Sequence, residues 1–372
     1  MSRHRGSPGS AWGRAGRIGA EPVLGGSLPP ADHEATQELG RATDIGGRFS
    51  LPHRDLALGR TNPYAWVIDP EEGNVASQRR VFGRGTVVIL ALALLLGGVL
   101  ATASAKPLNP GNSPEHRLVE YRVDIPAGDH VIPAILAVPK AGGPKAEHPA
   151  VLMVHGFASY KDEVGEMYKR EARYLAVAGY ASLRIDFAGS GESEQPWTDN
   201  NFDGMVADTR TALDWLVNHD ATDDDRVGIL GFSLGSRIAA TVAGTDDRVA
   251  AFASWSGAVQ NGTNGWEYYF DNYYEEAQAN GSVVIDLGWT VVELSAEWFD
   301  AMAASHARDD VAGFYGPLLA IAGEDDIVVD PTVSRDLIRY AGSLDATLRI
   351  LPGADHIYHV LTPDQTLAEQ VM

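Results

Sequence analysis

The apolar positions of residues 117–372 fall into short runs separated by stretches of helical spacing. Runs over 118–125 and 131–138 flank Ala127-Gly128-Asp129 and predict a β-hairpin. Ala150-Val151-Leu152-Met153-Val154 predicts a buried strand that ends in His155-Gly156-Phe157. A helix is expected from about Glu163 to Ala178, then a strand over 181–185 running into a glycine-rich turn, Asp186 to Ser193. Residues 202–219 place Met205, Val206, Leu213, Leu216 and Val217 on one face, the spacing of an amphipathic helix. Val227-Gly228-Ile229-Leu230 predicts the next strand and 236–243 the helix after it, with further strands over 249–255, 317–322 and 346–351. Strands separated by helices imply an α/β fold with a mostly parallel, doubly wound sheet and right-handed crossovers. Sites in such sheets form at the carboxyl ends of the strands.

Upstream the pattern changes. Residues 1–80 are rich in Gly, Pro, Arg and Ala and show no periodicity, which reads as disorder or as an extension preceding the true start codon. Arg79-Arg80-Val81-Phe82-Gly83-Arg84 then leads into an uncharged run over 86–105 that closes on Ala101-Thr102-Ala103-Ser104-Ala105. A basic flank, an apolar core and small residues at the end form a secretory signal, with cleavage expected after Ala105. Such a signal belongs at a chain's start, so two readings compete. Translation starts downstream of Met1, at Val75 or Val81, or 81–105 is an uncleaved anchor with its arginines in the cytoplasm. Both readings export residues 106–372, of which 106–116 are a polar linker. A buried core helix is the third alternative.

Composition narrows the chemistry. With 45% apolar residues the chain is that of an ordinary globular protein. The formal net charge of −21 disfavours nucleic acids and anionic membrane surfaces, leaving 86–105 as the membrane contact if it is uncleaved. The absence of cysteine excludes disulfides, thiolate metal sites and a cysteine nucleophile.

Between the strand at 227–230 and the helix after it lies Gly231-Phe232-Ser233-Leu234-Gly235. Strand, Gly-x-Ser-x-Gly and helix are the context of a nucleophile elbow, with Ser233 at its tip. A serine hydroxyl needs a base, and the base needs a group that holds its tautomer. Asp326 follows the strand at 317–322 and is the expected orienting acid, with Asp325 the alternative. His356 follows the last strand and is the expected base, with His359 the alternative. The oxyanion needs two N–H donors, expected from the backbones of Leu234 and Phe157. His155 is expected to bond within its own loop. Gly189 and Gly191 lack the spacing of a dinucleotide loop and read as a tight turn.

With these residues assembled, 117–372 resembles the α/β-hydrolase superfamily, and within it the bacterial cinnamoyl/feruloyl esterase-like serine esterases. The resemblance rests on His155-Gly156-Phe157 with Lys161, on Arg184-Ile185-Asp186-Phe187 leading to Gly189-Ser190-Gly191-Glu192-Ser193, on the elbow, and on Asp326 and His356. It implies the α/β-hydrolase fold and hydrolysis of small-molecule esters through an acyl-enzyme on Ser233, with no cofactor and no metal. In that family an insertion at about 261–316 caps the site. Here it is rich in aromatic residues, and Trp255, Trp266, Tyr269 and Trp289 are the expected pocket lining. The alternatives are a serine peptidase or aminopeptidase, with Glu267, Asp271 or Glu275 holding a substrate amine, an acyltransferase, and a non-catalytic binding protein.

Overall fold

The hairpin forms where the alternation places it. β1 (Leu118–Ala127) and β2 (His130–Pro139) pair antiparallel from Leu118 opposite Pro139 to Ala127 opposite His130. The computed structural model describes residues 117–142 and 146–372. The readings made for 1–80, 81–105 and 106–116 lie outside the described residues. No helix among the described residues is long and apolar enough to cross a membrane.

β3 (His148–Val154) and β4 (Ala181–Ile185) follow the expected runs, and every residue of β4 is buried. The helix between them, α1 (Met167–Ala178), begins at Met167 rather than near Glu163. Gly165 and Glu166 take left-handed φ values of 59° and 57°, which breaks the helical path and leaves Glu163 in the loop after β3. α2 (Phe202–Val217) is capped by Asn201, whose side chain accepts the Gly204 N–H at 2.9 Å. Then come β5 (Thr222–Phe232), α3 (Leu234–Thr245) and β6 (Val249–Trp255).

The stretch expected as an insertion holds α4 (Glu267–Asn280), the hairpin of β7 (Ser282–Asp286) and β8 (Val291–Ser295), α5 (Ala296–Ala304) and α6 (Ala307–Asp310). β9 (Leu318–Gly323), α7 (Thr332–Tyr340), β10 (Ala346–Leu351) and α8 (Thr366–Val371) complete the chain.

The main sheet has the order β1-β2-β4-β3-β5-β6-β9-β10. β2 is antiparallel to both its neighbours, and the strands from β4 to β10 run parallel. Because successive strand residues point to opposite faces, the sheet feeds two cores. Leu152, Val154, Ile229 and Phe252 pack on one face with residues of α2 and α3. Met153, Leu230, Phe232 and Trp255 pack on the other with residues of α1 and α8. Trp266, Tyr269, Trp298 and Phe299 of the inserted stretch belong to the first of these cores.

Arg237 of α3 ties that stretch down. It is fully buried, and its guanidinium donates to Gly262 O at 2.5 Å and to Ser305 Oγ at 2.6 Å. One side chain therefore holds the residues that precede α4 and those that follow α5 against the helix that starts directly after Ser233.

Candidate active site

The elbow explains its own glycines. Ser233 adopts φ 52° and ψ −120°, a conformation sustained only where the surroundings enforce it. A Cβ at Gly235 would overlap Val154 O of the neighbouring strand, and one at Gly231 would overlap Gly235 O. The turn closes tightly enough to set Ser233 at the start of α3, half-buried, with its N–H held by Trp255 O at 2.9 Å. Ser236 Oγ, donating to Gly231 O at 2.6 Å, pins the turn from below.

Three side chains from three strand ends meet there. Ser233 Oγ lies 3.1 Å from His356 Nε2, and His356 Nδ1 lies 2.8 Å from Asp326 Oδ2. His356 and Asp326 are both buried. The second carboxylate oxygen of Asp326 accepts the N–H groups of Val328 and Val329, at 2.9 and 2.8 Å. Those bonds fix the carboxylate so that its other oxygen faces the imidazole and favours a proton on Nδ1. Nε2 is then the acceptor facing the serine. Asp325 is exposed and His359 leans towards Asp355, 3.9 Å away, so neither alternative joins the cluster.

The two amides singled out for the oxyanion are those of Phe157, in the loop after β3, and Leu234, the first residue of α3. Neither donates to a protein acceptor among the described residues. Leu234 adds the favourable field of a helix N-terminus. His155 holds its own loop: its ring bonds Gly156 O at 2.8 Å through Nδ1 and accepts the Phe187 N–H at 3.4 Å through Nε2. Burial lowers its pKa, in keeping with a neutral ring that donates once and accepts once. Lys161 is buried against Asp186, which accepts both its backbone N–H at 2.7 Å and its ammonium at 2.5 Å.

The expected pocket residues divide. Trp266 and Tyr269 stand edge-on to the Phe157 ring, with centroids 5.2 and 5.7 Å away, and Trp298 lies 5.9 Å from it. Trp255 does not join these rings. The alternation along β6 turns its ring into the opposite core, 5.9 Å from Tyr168. Trp289 does not join them either: it sits in the turn between β7 and β8, is 51% exposed, and belongs to neither core.

Several residues that support the site had no motif to mark them. Ser256, directly after β6, donates its hydroxyl to His356 O at 2.9 Å and sits 2.9 Å from the Tyr358 hydroxyl. Tyr358 OH also lies 3.1 Å from Ile321 O, so a buried polar network underlies the histidine loop. Glu163 is the other. Spacing that reads as helix concealed its place in the loop. Position at a strand's carboxyl end was the signal available for Ser256. Among the described residues, acidic side chains close enough to share a cation occur at Asp223, Asp224 and Asp225, at the opposite end of β5 from Ser233.

Comparison with known proteins agrees with this architecture. Residues 149–284 match the family model described as alpha/beta hydrolase fold. The 2,6-dihydropseudooxynicotine hydrolase of Paenarthrobacter nicotinovorans is 32% identical over 130 residues, covering 34% of this chain and 32% of that one. A putative carboxymethylenebutenolidase of Methylorubrum extorquens is 27% identical over 207 residues, covering 52% of this chain and 67% of its own. Of the first curated relatives it matches, the chain spans about a third of the length, 32%, 37% and 34%. Among solved structures, Est1E from Butyrivibrio proteoclasticus with ferulic acid bound superposes with a TM-score of 0.54. The two are 20% identical, and the match covers 67% of this chain and 96% of that one. The fold is that of the α/β-hydrolases, with a mostly parallel mixed sheet flanked by helices.

Proposed function

We propose that this α/β-hydrolase-fold chain is a serine ester hydrolase. The observation that carries the reading is the continuous chain Ser233 Oγ, His356 and Asp326, joined at 3.1 and 2.8 Å beside two undonated amides. In the first step His356 Nε2 takes the Ser233 proton as the oxygen attacks the ester carbonyl. Asp326 stabilises the imidazolium that forms and remains ionised. The Phe157 and Leu234 amides donate to the developing oxyanion, a stabilisation that is usually the largest single contribution in acyl transfer. His356 returns the proton to the leaving alcohol. Water then repeats the sequence on the acyl-enzyme and frees Ser233.

The half-buried Phe157 ring, backed by the buried rings of Trp266, Tyr269 and Trp298, favours an apolar or aromatic acyl or alcohol group. An aminopeptidase reading would draw on Glu267, Asp271 or Glu275, which are exposed on α4. The proposal extends to action outside the cytoplasm, on the strength of the basic flank, apolar run and Ala103-Ser104-Ala105. A secreted product whose N-terminus is Lys106 agrees with export by cleavage; retention of the whole chain in the cytoplasm contradicts it.

The test is the full chain and its Ser233→Ala variant, assayed on 4-nitrophenyl esters of rising acyl length, methyl ferulate and an aminoacyl 4-nitroanilide. Ser233-dependent release from the esters alone is expected. Release from the anilide moves the reading to a peptidase, and no Ser233-dependent turnover overturns it.

A further inference from the structure

The loop from His155 to Glu163 carries the Phe157 amide, and it needs a reason to hold that amide still. It is not regular structure. Ala158 and Glu163 both adopt left-handed φ, 55° and 63°, and neither is glycine. Lys161 anchors the middle of the loop on Asp186. Its two ends are joined by one side chain. Glu163 is 1% exposed. Its Oε1 accepts the Gly156 N–H at 2.5 Å. Its Oε2 accepts the Ser159 hydroxyl at 2.9 Å and the Val164 N–H at 2.8 Å.

We infer that Glu163 is a positioning residue for the oxyanion site, its buried carboxylate closing the 156–164 loop so that the Gly156 amide is bound internally and the next amide, Phe157, is left for the substrate oxygen. The inference rests on the ester-hydrolase reading. Two features argue for it. A carboxylate is acceptor-only with two oxygens, and the loop presents donors to both. An amide side chain offers one accepting oxygen, so whichever way it turns its NH2 would face one backbone N–H, that of Gly156 or of Val164, which cannot turn away. Burial alone disfavours the charge and raises the Glu163 pKa, while the three donors and His356 nearby oppose that rise. A buried carboxylate held this way is costly for fold stability alone, and a function in fixing one donor gives it a reason.

The experiment compares full-chain wild type, Glu163→Gln and Ser159→Ala on 4-nitrophenyl butyrate, with Ser233→Ala as the background. Each is also titrated with an alkyl boronic acid, which bonds Ser233 Oγ and places a boron-bound oxygen where the oxyanion sits. Losing a whole oxyanion donor costs on the order of 10²–10³ in kcat, so displacing one in Glu163→Gln is expected to cost about 10- to 100-fold. KM is expected to stay within about threefold, and boronate affinity to fall by the same factor as kcat. Ser159→Ala removes one of the three donors and is expected to lose about three- to tenfold in both readouts. A merely structural role lowers the melting temperature or the folded fraction without this paired loss. Folded Glu163→Gln with wild-type kcat, or with lowered kcat and unchanged boronate affinity, overturns the inference. If Glu163→Gln does not fold, Ser159→Ala decides: paired loss supports it, and unchanged values overturn it. Absence of Ser233-dependent turnover in the wild type fails the hydrolase reading itself and takes this inference with it, whereas an active wild type with an unimpaired Glu163→Gln fails Glu163 alone.

Discussion

At the scale of single residues, the decisive feature is which atom each donor meets. Asp326 shows this. One of its oxygens is filled by the Val328 and Val329 amides and the other faces His356 Nδ1. In Asp326→Asn the amide oxygen is expected to keep the two backbone donors, which turns the NH2 towards Nδ1. The imidazole must then carry its proton on Nε2 and can no longer accept from Ser233. The expected result is a fall in kcat of about 10³–10⁴ with little change in melting temperature. Asp325→Asn, at an exposed position, is expected to stay within about twofold. Steady-state kinetics on a 4-nitrophenyl ester check both, and a null effect of Asp326→Asn beside a large loss in Asp325→Asn would move the acid to Asp325. Ser233→Ala is expected to lower kcat by at least about 10³ while leaving the melting curve in place, because the hydroxyl contributes little packing. The residues named from spacing were those whose chemistry needs a fixed place at a strand end. Glu163, Ser256 and Tyr358 carry no such spacing. They matter through the loops they hold, and a loop path is a tertiary property.

At the scale of elements, the strands were legible because a fully buried strand is a short apolar run and a hairpin strand alternates. β4 and β6 lie where their runs lie. The start of α1 was not legible, since the apolar spacing continues through residues whose backbone turns left-handed at Gly165 and Glu166. Trp255 teaches the same lesson on a strand: its identity suggested a pocket, and the pleat of β6 sent it to the opposite core. The inserted stretch is organised around α5. Trp298 and Phe299 are fully buried there, and Trp298 touches Phe157, Trp266 and Tyr269. Trp298→Ala is expected to cost about 3–5 kcal/mol in a urea unfolding transition. It is also expected to raise KM for aromatic esters more than for acetate. A loss below about 1 kcal/mol would mean that the cap packs independently of this ring.

At the scale of the whole molecule, one half-buried acid makes stability depend on pH. Glu171 of α1 has its carboxyl pushed up by burial to about 8, from an ordinary value of 4.5. The folded chain therefore holds that proton over a range where the unfolded chain has released it, and stability falls as pH rises from about 4.5 to about 8. Glu171→Gln removes this slope. Allowing for partial exposure of the side chain, the variant is expected to gain about 1–2 kcal/mol over wild type at pH 8.5 and little at pH 4.5. Melting curves at the two pH values check this, and an equal difference at both would show that Glu171 does not titrate between them. The alternation of runs and helical spacings along 117–372 was enough by itself to determine an open parallel α/β sheet, and the order of serine, acid and histidine along it. Burying each apolar run demands those elements, and short right-handed connections leave few ways to join them. Only the tertiary structure decided which carboxylate faces His356, which aromatic rings share a core with Phe157, and which acid closes the loop after β3. Those outcomes depend on contacts between residues as far apart as Asp326 and His356, or on the face to which a pleat turns a side chain, and neither is a local property of sequence.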